Sequence, residues 1–204
     1  MLEKTKELLG MKEVPDQEYR VSIKKIPWDH TFLLEALAWS KRSHDPDTQN
    51  GCIIVRNNRI LSTGYNGFIR DIDDSMLPNQ RPHKYEWMIH AEQNAIFNAA
   101  RNGVSTDSAT AYVTMKPCLP CFQFLWQAGI ARIVYSNMGN SKHFHSVEND
   151  NKMEALMRLI NPTVKISADG LDGGRFTDTI RINLTLKFID KKYVLPELNE
   201  ENGV

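Results

Sequence analysis

The sequence predicts an α/β fold in which helices flank one layered sheet. Three observations predict it. Helical and strand patterns alternate through the middle of the chain, 204 residues suffice for one ordinary domain but not comfortably for two, and no internal repeat or low-complexity tract divides them. We therefore expect an N-terminal arm at 1–27, one domain at 28–162, and a C-terminal extension at 163–204 that contains a strand and packs on the same domain.

Hydrophobic periodicity and turn residues place the individual elements. Apolar residues at helical spacing from Trp28 predict a helix that ends near Ser43, before the turn-prone Asp45-Pro46-Asp47. Asn57-Asn58 between two apolar runs predicts a tight hairpin turn. Gly103 stands where the C-terminal cap of a helix is expected. The same patterns predict a weak helix at Leu2–Leu9, strands at Cys52–Val55 and Arg59–Gly64, a long loop at Tyr65–Tyr85, a helix at Ile89–Asn102, a strand at Thr110–Thr114, a helix at Cys118–Ala128, a strand at Arg132–Tyr135, a helix at Lys152–Ile160, and strands at Val164–Ile166 and Ile180–Phe188.

The charge balance argues against a polymeric partner. Lysine and arginine together number 25, and aspartate and glutamate together also number 25. A long polyanion such as tRNA or DNA is usually gathered by a basic field, which this composition does not supply. The sequence therefore favours a small substrate over nucleic acid.

The chain shows no sequence mark of export or membrane insertion. Its first residues, Met1 to Glu18, are charged and mixed, without the basic start and apolar run of a signal peptide. No stretch of membrane-spanning length occurs either. We expect a cytoplasmic protein with no membrane partner.

The cysteines belong to a metal-binding pattern. Of the three cysteines, Cys118 and Cys121 stand close together, which in a reducing compartment favours metal or redox chemistry over disulfides. At a helix start, their sulfurs share one face and can converge on one ion, and the helix N-terminus favours thiolates. His90 would complete the three protein ligands that a catalytic zinc takes, which leaves a fourth position open for water.

Glu92 follows His90 closely and in this interpretation does not bind the metal. It would accept a proton from a water activated by zinc, deliver it to the ring nitrogen beside the attacked carbon, and help ammonia leave. The ordered pattern His-x-Glu followed by Pro-Cys-x-x-Cys is the signature of zinc deaminases.

Each half of this pattern has an ordinary alternative. A lone Cys-x-x-Cys is often half of a structural zinc site or a redox pair, and a lone histidine near a helix start is usually just hydrogen bonded there. A structural zinc would need a fourth cysteine or histidine. The one remaining cysteine, Cys52, lies inside a predicted buried strand, and the other histidines have no metal-site spacing. The two halves together, in this order, favour a catalytic zinc.

Several blocks besides the zinc motif carry a resemblance that runs from about Phe32 to Tyr135. These blocks are Ser43-His44-Asp45-Pro46-Asp47-Thr48-Gln49, Gly64-Tyr65-Asn66-Gly67-Phe68, Lys84-Tyr85, His90-Ala91-Glu92-Gln93-Asn94-Ala95-Ile96 and Gln127-Ala128-Gly129-Ile130. With them the sequence resembles the deoxycytidylate (dCMP) deaminases of the cytidine-deaminase-like superfamily. The resemblance implies a three-layer fold with a central mixed β-sheet flanked by helices, one zinc per chain, and hydrolysis of dCMP to dUMP and ammonia, which supplies the precursor of dTMP. Asn50 departs from the pattern, because relatives usually carry valine there.

The resemblance also implies substrate-binding residues. Asn66 would hydrogen-bond the deoxyribose and backbone groups around Ala91 would bind the pyrimidine edge, although an asparagine between glycines is also typical of a left-handed turn. For the phosphate, Arg70 is the first candidate and Arg42 the second, since guanidinium groups bind phosphate well; either also suits a solvated surface. Arg101 is a candidate allosteric or interface residue, and as a cation in the last turn of a helix it also has an ordinary electrostatic role.

Assembly and regulation are implied in the same way. Relatives suggest a homo-oligomer, hexamer or dimer, with dCTP as activator, dTTP as inhibitor, and Mg²⁺ accompanying the triphosphate. Two other functions stay open. One is deamination of another small cytosine or modified-cytosine nucleotide. The loop after Phe68 permits this, because Ile69 and Asp71 stand where the family pattern has proline and glycine. The other is a non-catalytic zinc-bearing nucleotide sensor, against which Glu92 argues.

Overall fold

The computed structural model of the chain describes residues 26–137, 147–160 and 185–188. Within these ranges it contains four α-helices and five strands, with one short 3-10 helix at His83–Glu86. In chain order the helices and strands are α1 Trp28–Ser40, β1 Gly51–Arg56, β2 Arg59–Tyr65, α2 Ala91–Arg101, β3 Thr110–Val113, α3 Leu119–Gln127, β4 Arg132–Tyr135, α4 Val147–Ile160 and β5 Thr185–Phe188.

The five strands form one mixed sheet in the order β2-β1-β3-β4-β5. Strand β1 pairs antiparallel with β2 and β3, whereas β3, β4 and β5 run parallel. Parallel neighbours require crossover connections. Helix α3 lies in the connection between β3 and β4, and helix α4 lies in the connection between β4 and β5. The mixed sheet that the resemblance implied is confirmed.

Both faces of the sheet are covered, which explains why β1 is buried almost throughout. Side chains alternate between the two faces of a strand, so Ile53 and Val55 pack with Phe32 and Leu33 of α1. The other face packs against the remaining helices in a cluster that contains Cys52, Ile54, Ala91, Ala95, Ala111, Val113, Phe122, Leu125, Ile133, Met153 and Met157. Two buried faces make a three-layer fold.

Local sequence explains the hairpin and the first helix well. Asn57 and Asn58 adopt positive φ angles of 53° and 58°, the conformation that a two-residue turn between twisted strands requires. Helix α1 is less regular in its burial than its apolar spacing predicts, because Trp28 and Trp39 on it stay 57% and 38% exposed.

The prediction for α4 was wrong at its start. The helix begins at Val147 rather than Lys152. The residues just before Lys152 are mostly polar in sequence, and a polar first turn shows no apolar periodicity from which a helix could be predicted. The predicted helix at 2–9, the strand at 164–166 and residues 180–184 of the last predicted strand lie outside the described residues.

One close contact positions the site. Gly64 of β2 lies against the first turns of α2, and a Cβ at Gly64 would stand 2.3 Å from the carbonyl oxygen of Ala91 and 2.4 Å from the amide nitrogen of Ala95. Both neighbours are backbone atoms and cannot move aside easily. The strand and the helix can therefore approach this closely only because residue 64 has no side chain. Among the described helices, none is long and apolar enough to cross a membrane.

Candidate functional site

His90 is held at the start of helix α2. The preceding residue, Ile89, exchanges two backbone hydrogen bonds with Gly67, at 2.8 and 3.1 Å, which ties this point to the loop after β2. His90 itself is the N-cap residue in an extended conformation, and its amide donates to Gln93 Oε1 at 3.0 Å. The side chain thus leaves the helix at its N-terminus, on the open side of the fold, and remains exposed.

The two cysteines of the pair are presented by the start of helix α3. Cys118 is the N-cap residue, in an extended conformation, and Pro120 lies in the first turn, where its missing N–H costs nothing. Cys121 is fully buried at 0% exposure, whereas Cys118 is only partly buried. Two helix starts therefore face each other, and each contributes to one site.

The ligand atoms of His90, Cys118 and Cys121 all lie within 4.8 Å of one another. The Nδ1 atom of His90 is 3.5 Å from Cys118 Sγ and 3.3 Å from Cys121 Sγ. In a tetrahedral zinc site with zinc–nitrogen bonds of about 2.0–2.1 Å and zinc–sulfur bonds of about 2.3 Å, a nitrogen and a sulfur would be roughly 3.6 Å apart. The donor set and its spacing therefore fit zinc.

Electrostatics within this group also favour a bound cation. Hydrogen bonds, first from Cys121 and then from His90, lower the pKa of Cys118 to about 4, while the hydrogen bond to Cys118 raises the pKa of His90 to about 9. The pKa of Cys121 is raised, because its thiol donates to Cys118 and is buried. One thiolate is thus formed without an ion, and a metal that binds would displace the remaining protons.

Glu92 is buried beside these residues with an exposure of 1%. Its Oε2 atom has no hydrogen-bond partner within the described part of the chain. Burial raises the pKa of Glu92, and the nearby charge of His90 only partly opposes that. A buried carboxyl oxygen without a partner costs stability, so its presence here indicates a function rather than a structural role.

The structural-zinc alternative needs a fourth ligand, and the described residues do not provide one. Cys52 lies in the packed core on β1 and is absent from the group of converging ligands. Burial raises the pKa of the Cys52 thiol well above its usual value, which disfavours the thiolate that a metal would need. The three-ligand site keeps an open side, as a catalytic zinc requires.

That open side faces a cavity of about 300 Å³. The zinc-site residues His90, Glu92 and Cys118 line one end of it. Most of the other lining residues carry polar or charged side chains, and they come from several separate segments: Asp45, Thr48, Asn50, Asn66, Arg81, Lys84, Tyr85, Met88, Ala91, Met115 and Lys116.

Asn66 lies in the cavity wall, and its side chain is held on three sides. Its Nδ2 atom donates to Thr48 O at 2.8 Å and to Asp45 Oδ2 at 3.2 Å, while its Oδ1 atom accepts from the amide of Asn50 at 2.7 Å. Both amide protons are used, and one lone pair of Oδ1 remains. Asn66 is not among the described residues with positive φ, so the left-handed turn alternative is wrong.

A buried ion pair between Asp45 and Lys84 holds the side chain of Asn66 through Asp45. Asp45 and Lys84 are each 3% exposed, and Lys84 Nζ lies 2.6 and 2.8 Å from the two carboxylate oxygens of Asp45. Asp45 Oδ1 also accepts from the amides of Asp47 and Thr48, at 2.8 and 3.0 Å. One carboxylate thus organises the loop before β1, the side chain of Asn66 and the cation at Lys84.

The predicted phosphate candidates do not line this cavity. Arg42 is exposed at the end of α1, and Arg70 is exposed with its guanidinium hydrogen bonded to Asn98 Oδ1. The cations in the lining are instead Arg81, Lys84 and Lys116. Loop residues separated by dozens of positions meet here only after folding, so hydrophobic periodicity carried no sign of Arg81 or Lys116.

The remaining predicted residues lie where their local sequence suggests. Ala91 is fully buried, lines the cavity, and opens helix α2, whose first amides have no partner within the helix. Arg101 is exposed in the last turn of α2, and Gly103 follows with a φ of 65°. That placement fits the electrostatic role of a cation at a helix end, and an allosteric or interface role for Arg101 stays a prediction.

Comparison with known proteins places the chain in a family. A family model described as the cytidine and deoxycytidylate deaminase zinc-binding region matches residues 26–137. The deoxycytidylate deaminase of Homo sapiens is 31% identical over 156 residues, which cover 71% of this chain and 84% of that protein. A protein of Drosophila melanogaster named probable deoxycytidylate deaminase is 38% identical over 120 residues, or 53% of this chain and 58% of its own length.

A solved structure supports the same conclusion. The crystal structure of dCMP deaminase from the cyanophage S-TIM5 in complex with dCMP and dUMP has a TM-score of 0.53 and 25% sequence identity to this chain. The superposition covers 66% of this chain and 95% of the phage protein. The chain therefore belongs to the family of cytidine and deoxycytidylate deaminases that contain this zinc-binding region.

Proposed function

We propose that the protein catalyses the hydrolytic deamination of dCMP to dUMP and ammonia with one zinc ion, held by His90, Cys118 and Cys121. The observation that carries this proposal is the meeting of two features in one cavity. Three converging ligands leave an open side, and the buried oxygen of Glu92 without a partner lies beside them. A structural metal site has no use for such a carboxylate.

When bound, zinc would lower the pKa of a coordinated water to about 7 and so supply a nucleophile at neutral pH. Glu92 moves the protons. Its carboxylate takes a proton from the attacking water and delivers it to the pyrimidine N3, and a second transfer to the exocyclic nitrogen lets that nitrogen leave as ammonia. Burial of Glu92 suits this work, because a raised pKa brings a carboxyl group closer to the neutral operating pH.

The rest of the cavity suits a nucleotide. The amide of Ala91 at the start of α2 is placed to bind the pyrimidine edge, and the spare lone pair of Asn66 Oδ1 can accept from a sugar hydroxyl. We assign the phosphate to Arg81 and Lys116 rather than to Arg70 or Arg42, because only the first two line the cavity. The names of the relatives, which specify deoxycytidylate, support the same substrate.

Arg81 is prepared for an anion. Its Nη2 atom donates to Thr48 Oγ1 at 2.8 Å, which orients the guanidinium group. Its Nε atom is shielded from solvent without a hydrogen-bond partner in the described residues, and the nearest carboxylate oxygen, on Asp47, lies 3.6 Å away. A phosphate would supply a stronger acceptor for a group of this shape.

The test measures ammonia release from cytosine and adenine bases, nucleosides and nucleotides by the wild type and by Glu92→Gln. We expect dCMP to be the preferred substrate, and the variant to lose about 10³-fold or more in kcat while it keeps zinc and binds dUMP, because the amide cannot carry the proton.

The exposed glutamate Glu86, on the short 3-10 helix, provides a matched control. Glu86→Gln makes the same chemical change outside the lining of the cavity and should leave kcat unchanged. Full activity of Glu92→Gln would refute the assigned proton transfer. Tight nucleotide binding without turnover of any compound by the wild type would indicate a sensor instead of an enzyme.

We also infer that the enzyme works as a homo-oligomer, hexamer or dimer, in the cytoplasm. Exposed Phe97 of α2 and Phe124 of α3, at 60% and 48%, line a shallow apolar groove together with Ile96, which suits a contact with a second copy. Regulation by dCTP and dTTP, with Mg²⁺ on the triphosphate, rests on the family resemblance. Light scattering tests the oligomeric state, and ammonia release from dCMP, with and without each triphosphate and Mg²⁺, tests the regulation.

A further inference from the structure

Asn50 lines the cavity although the proposed mechanism gives it no role. It immediately precedes strand β1. Its backbone is bonded to Asn66 in both directions, since Asn50 N donates to Asn66 Oδ1 at 2.7 Å and Asn66 N donates to Asn50 O at 3.2 Å. The two asparagines are therefore neighbours in the wall, in a fixed relation.

Thr114 determines which way the amide of Asn50 is turned. The Thr114 hydroxyl accepts from the amide of Gly51 at 3.0 Å and donates its single proton in a short hydrogen bond to Asn50 Oδ1. Among the described residues, the other acceptor near that proton is Gly51 O, which is 3.5 Å away and competes poorly. The carbonyl of the Asn50 side chain thus points at Thr114, and its NH₂ group points away from it.

The Asn50 NH₂ group has no hydrogen-bond acceptor among the described residues, and it is not sealed from solvent. Beside it, Asn66 Oδ1 keeps one unused lone pair, because its own NH₂ group is bound by Thr48 and Asp45. Within the described residues, the wall consequently offers one free donor on Asn50 and one free acceptor on Asn66, which is hydrogen bonded to the Asn50 backbone. A single group that satisfies both must be able to donate and to accept.

The proposed substrate has one such group away from the reaction centre. With C4 at the zinc site and N3 at Glu92, the remaining polar groups of dCMP are the O2 carbonyl, the phosphate and the 3′-hydroxyl of the sugar. The first two only accept hydrogen bonds. Building on the proposed function, we propose that Asn50 and Asn66 together bind the 3′-hydroxyl, which accepts from Asn50 Nδ2 and donates to Asn66 Oδ1, and that Asn50 thereby determines specificity for the sugar.

The test compares dCMP with 2′,3′-dideoxycytidine monophosphate, which lacks only that hydroxyl. For each variant the measured quantity is the ratio of kcat/KM on the two compounds. Asn50→Asp keeps the acceptor that Thr114 needs and removes the donor, whereas Asn50→Val removes both. Because the two compounds carry the same phosphate, the new negative charge in Asn50→Asp cancels from the ratio.

We expect the wild type to prefer dCMP by about 10- to 100-fold, and both variants to reduce that preference by about 5- to 10-fold, the usual worth of one neutral hydrogen bond. Asn58→Asp, the same change in the exposed hairpin turn, should leave the ratio as in the wild type. A variant that folds less well still gives a valid ratio, because both compounds are assayed with the same preparation of known zinc content and the fraction of active enzyme cancels.

Two results would overturn the assignment in distinguishable ways. A wild type that does not turn over dCMP would refute the proposed function and the assignment with it. An active wild type whose preference for dCMP is retained unchanged in both Asn50→Asp and Asn50→Val would refute the assignment alone, because Asn50 would then act on the base or only on the fold.

Discussion

The two ends of the cavity are built in different ways. At the zinc end, all four functional side chains come from the starts of two helices, α2 and α3, and short-range helix geometry positions them. At the other end, the side chains of Asn50, Asn66, Arg81 and Lys84 come from separate segments and are joined by long-range hydrogen bonds and ion pairs. At the zinc end, each of the two contributing pairs, His90 with Glu92 and Cys118 with Cys121, is local in sequence, whereas the other end depends on contacts between separate loops. Changes at the two ends should therefore fail in different ways.

The sharpest way to break the zinc end is Cys121→Ala. Apparent zinc binding free energies of about 10–16 kcal/mol are shared by the protein ligands, so loss of one ligand should weaken zinc binding by roughly 10³-fold. Metal analysis after dialysis should show little zinc. The same preparation should release no ammonia from dCMP. The fold should persist, because Cys121 is not a member of the main hydrophobic cluster between the sheet and the helices.

Cys52→Ala is the matched control for that experiment, since Cys52 is also fully buried but lies outside the ligand group. It should keep one zinc per chain despite some loss of stability from the smaller side chain. Stoichiometric zinc in Cys121→Ala after dialysis would contradict the ligand assignment.

Substitutions at the other end of the cavity should lower the free energy of unfolding instead of causing loss of the metal. Lys84→Met leaves the Asp45 carboxylate buried without its cation, and loss of one partner of a buried ion pair typically costs about 3–5 kcal/mol. We expect urea denaturation to show a decrease of that size in the free energy of unfolding. The KM for dCMP should rise as well, because Asp45 orients Asn66.

Lys41→Met serves as the comparison, because Lys41 is exposed and makes only a long hydrogen bond of 3.4 Å to Gln49. It should alter the free energy of unfolding by less than about 0.5 kcal/mol. If Lys84→Met were as stable as Lys41→Met, the ion pair would not organise this end of the cavity.

A smaller effect distinguishes the phosphate assignments. Arg81→Ala should raise the KM for dCMP by about 10- to 30-fold, the scale of one charge-assisted hydrogen bond, and leave the KM for deoxycytidine unchanged. Arg70→Ala and Arg42→Ala should change neither value. Steady-state kinetics on the nucleotide and the nucleoside check this. A rise for Arg70→Ala but not for Arg81→Ala would return the phosphate to Arg70, the first candidate from the sequence.

Sequence alone predicted the zinc end better than its opposite. His90, Glu92, Cys118 and Cys121 carry a fixed spacing, and the structure brings the three predicted ligands together. In the rest of the cavity lining the sequence predicted only Ala91, next to the zinc ligand His90, and Asn66 at the opposite end, both through the family resemblance. Arg42 and Arg70 were chosen for their chemistry and their position in the sequence, and neither lines the cavity.

Local patterns also placed most elements of the fold. The Asn57-Asn58 turn and the cap at Gly103 have the backbone angles that their residue types predict. The start of α4 was missed, because polar residues in a first turn look like loop until the rest of the helix is known.

The amino-acid sequence alone predicts the zinc-binding pattern, Glu92 as the proposed proton carrier, and the alternation of helices and strands. Each prediction uses patterns within a few residues, such as His-x-Glu and Cys-x-x-Cys, which helix and strand geometry converts directly into side-chain direction. Folding alone reveals which cations line the cavity and that Asp45 and Lys84 form a buried ion pair next to Asn66. It also reveals that Thr114 orients the side-chain amide of Asn50. Those facts depend on contacts between residues distant in the chain, which no short pattern encodes.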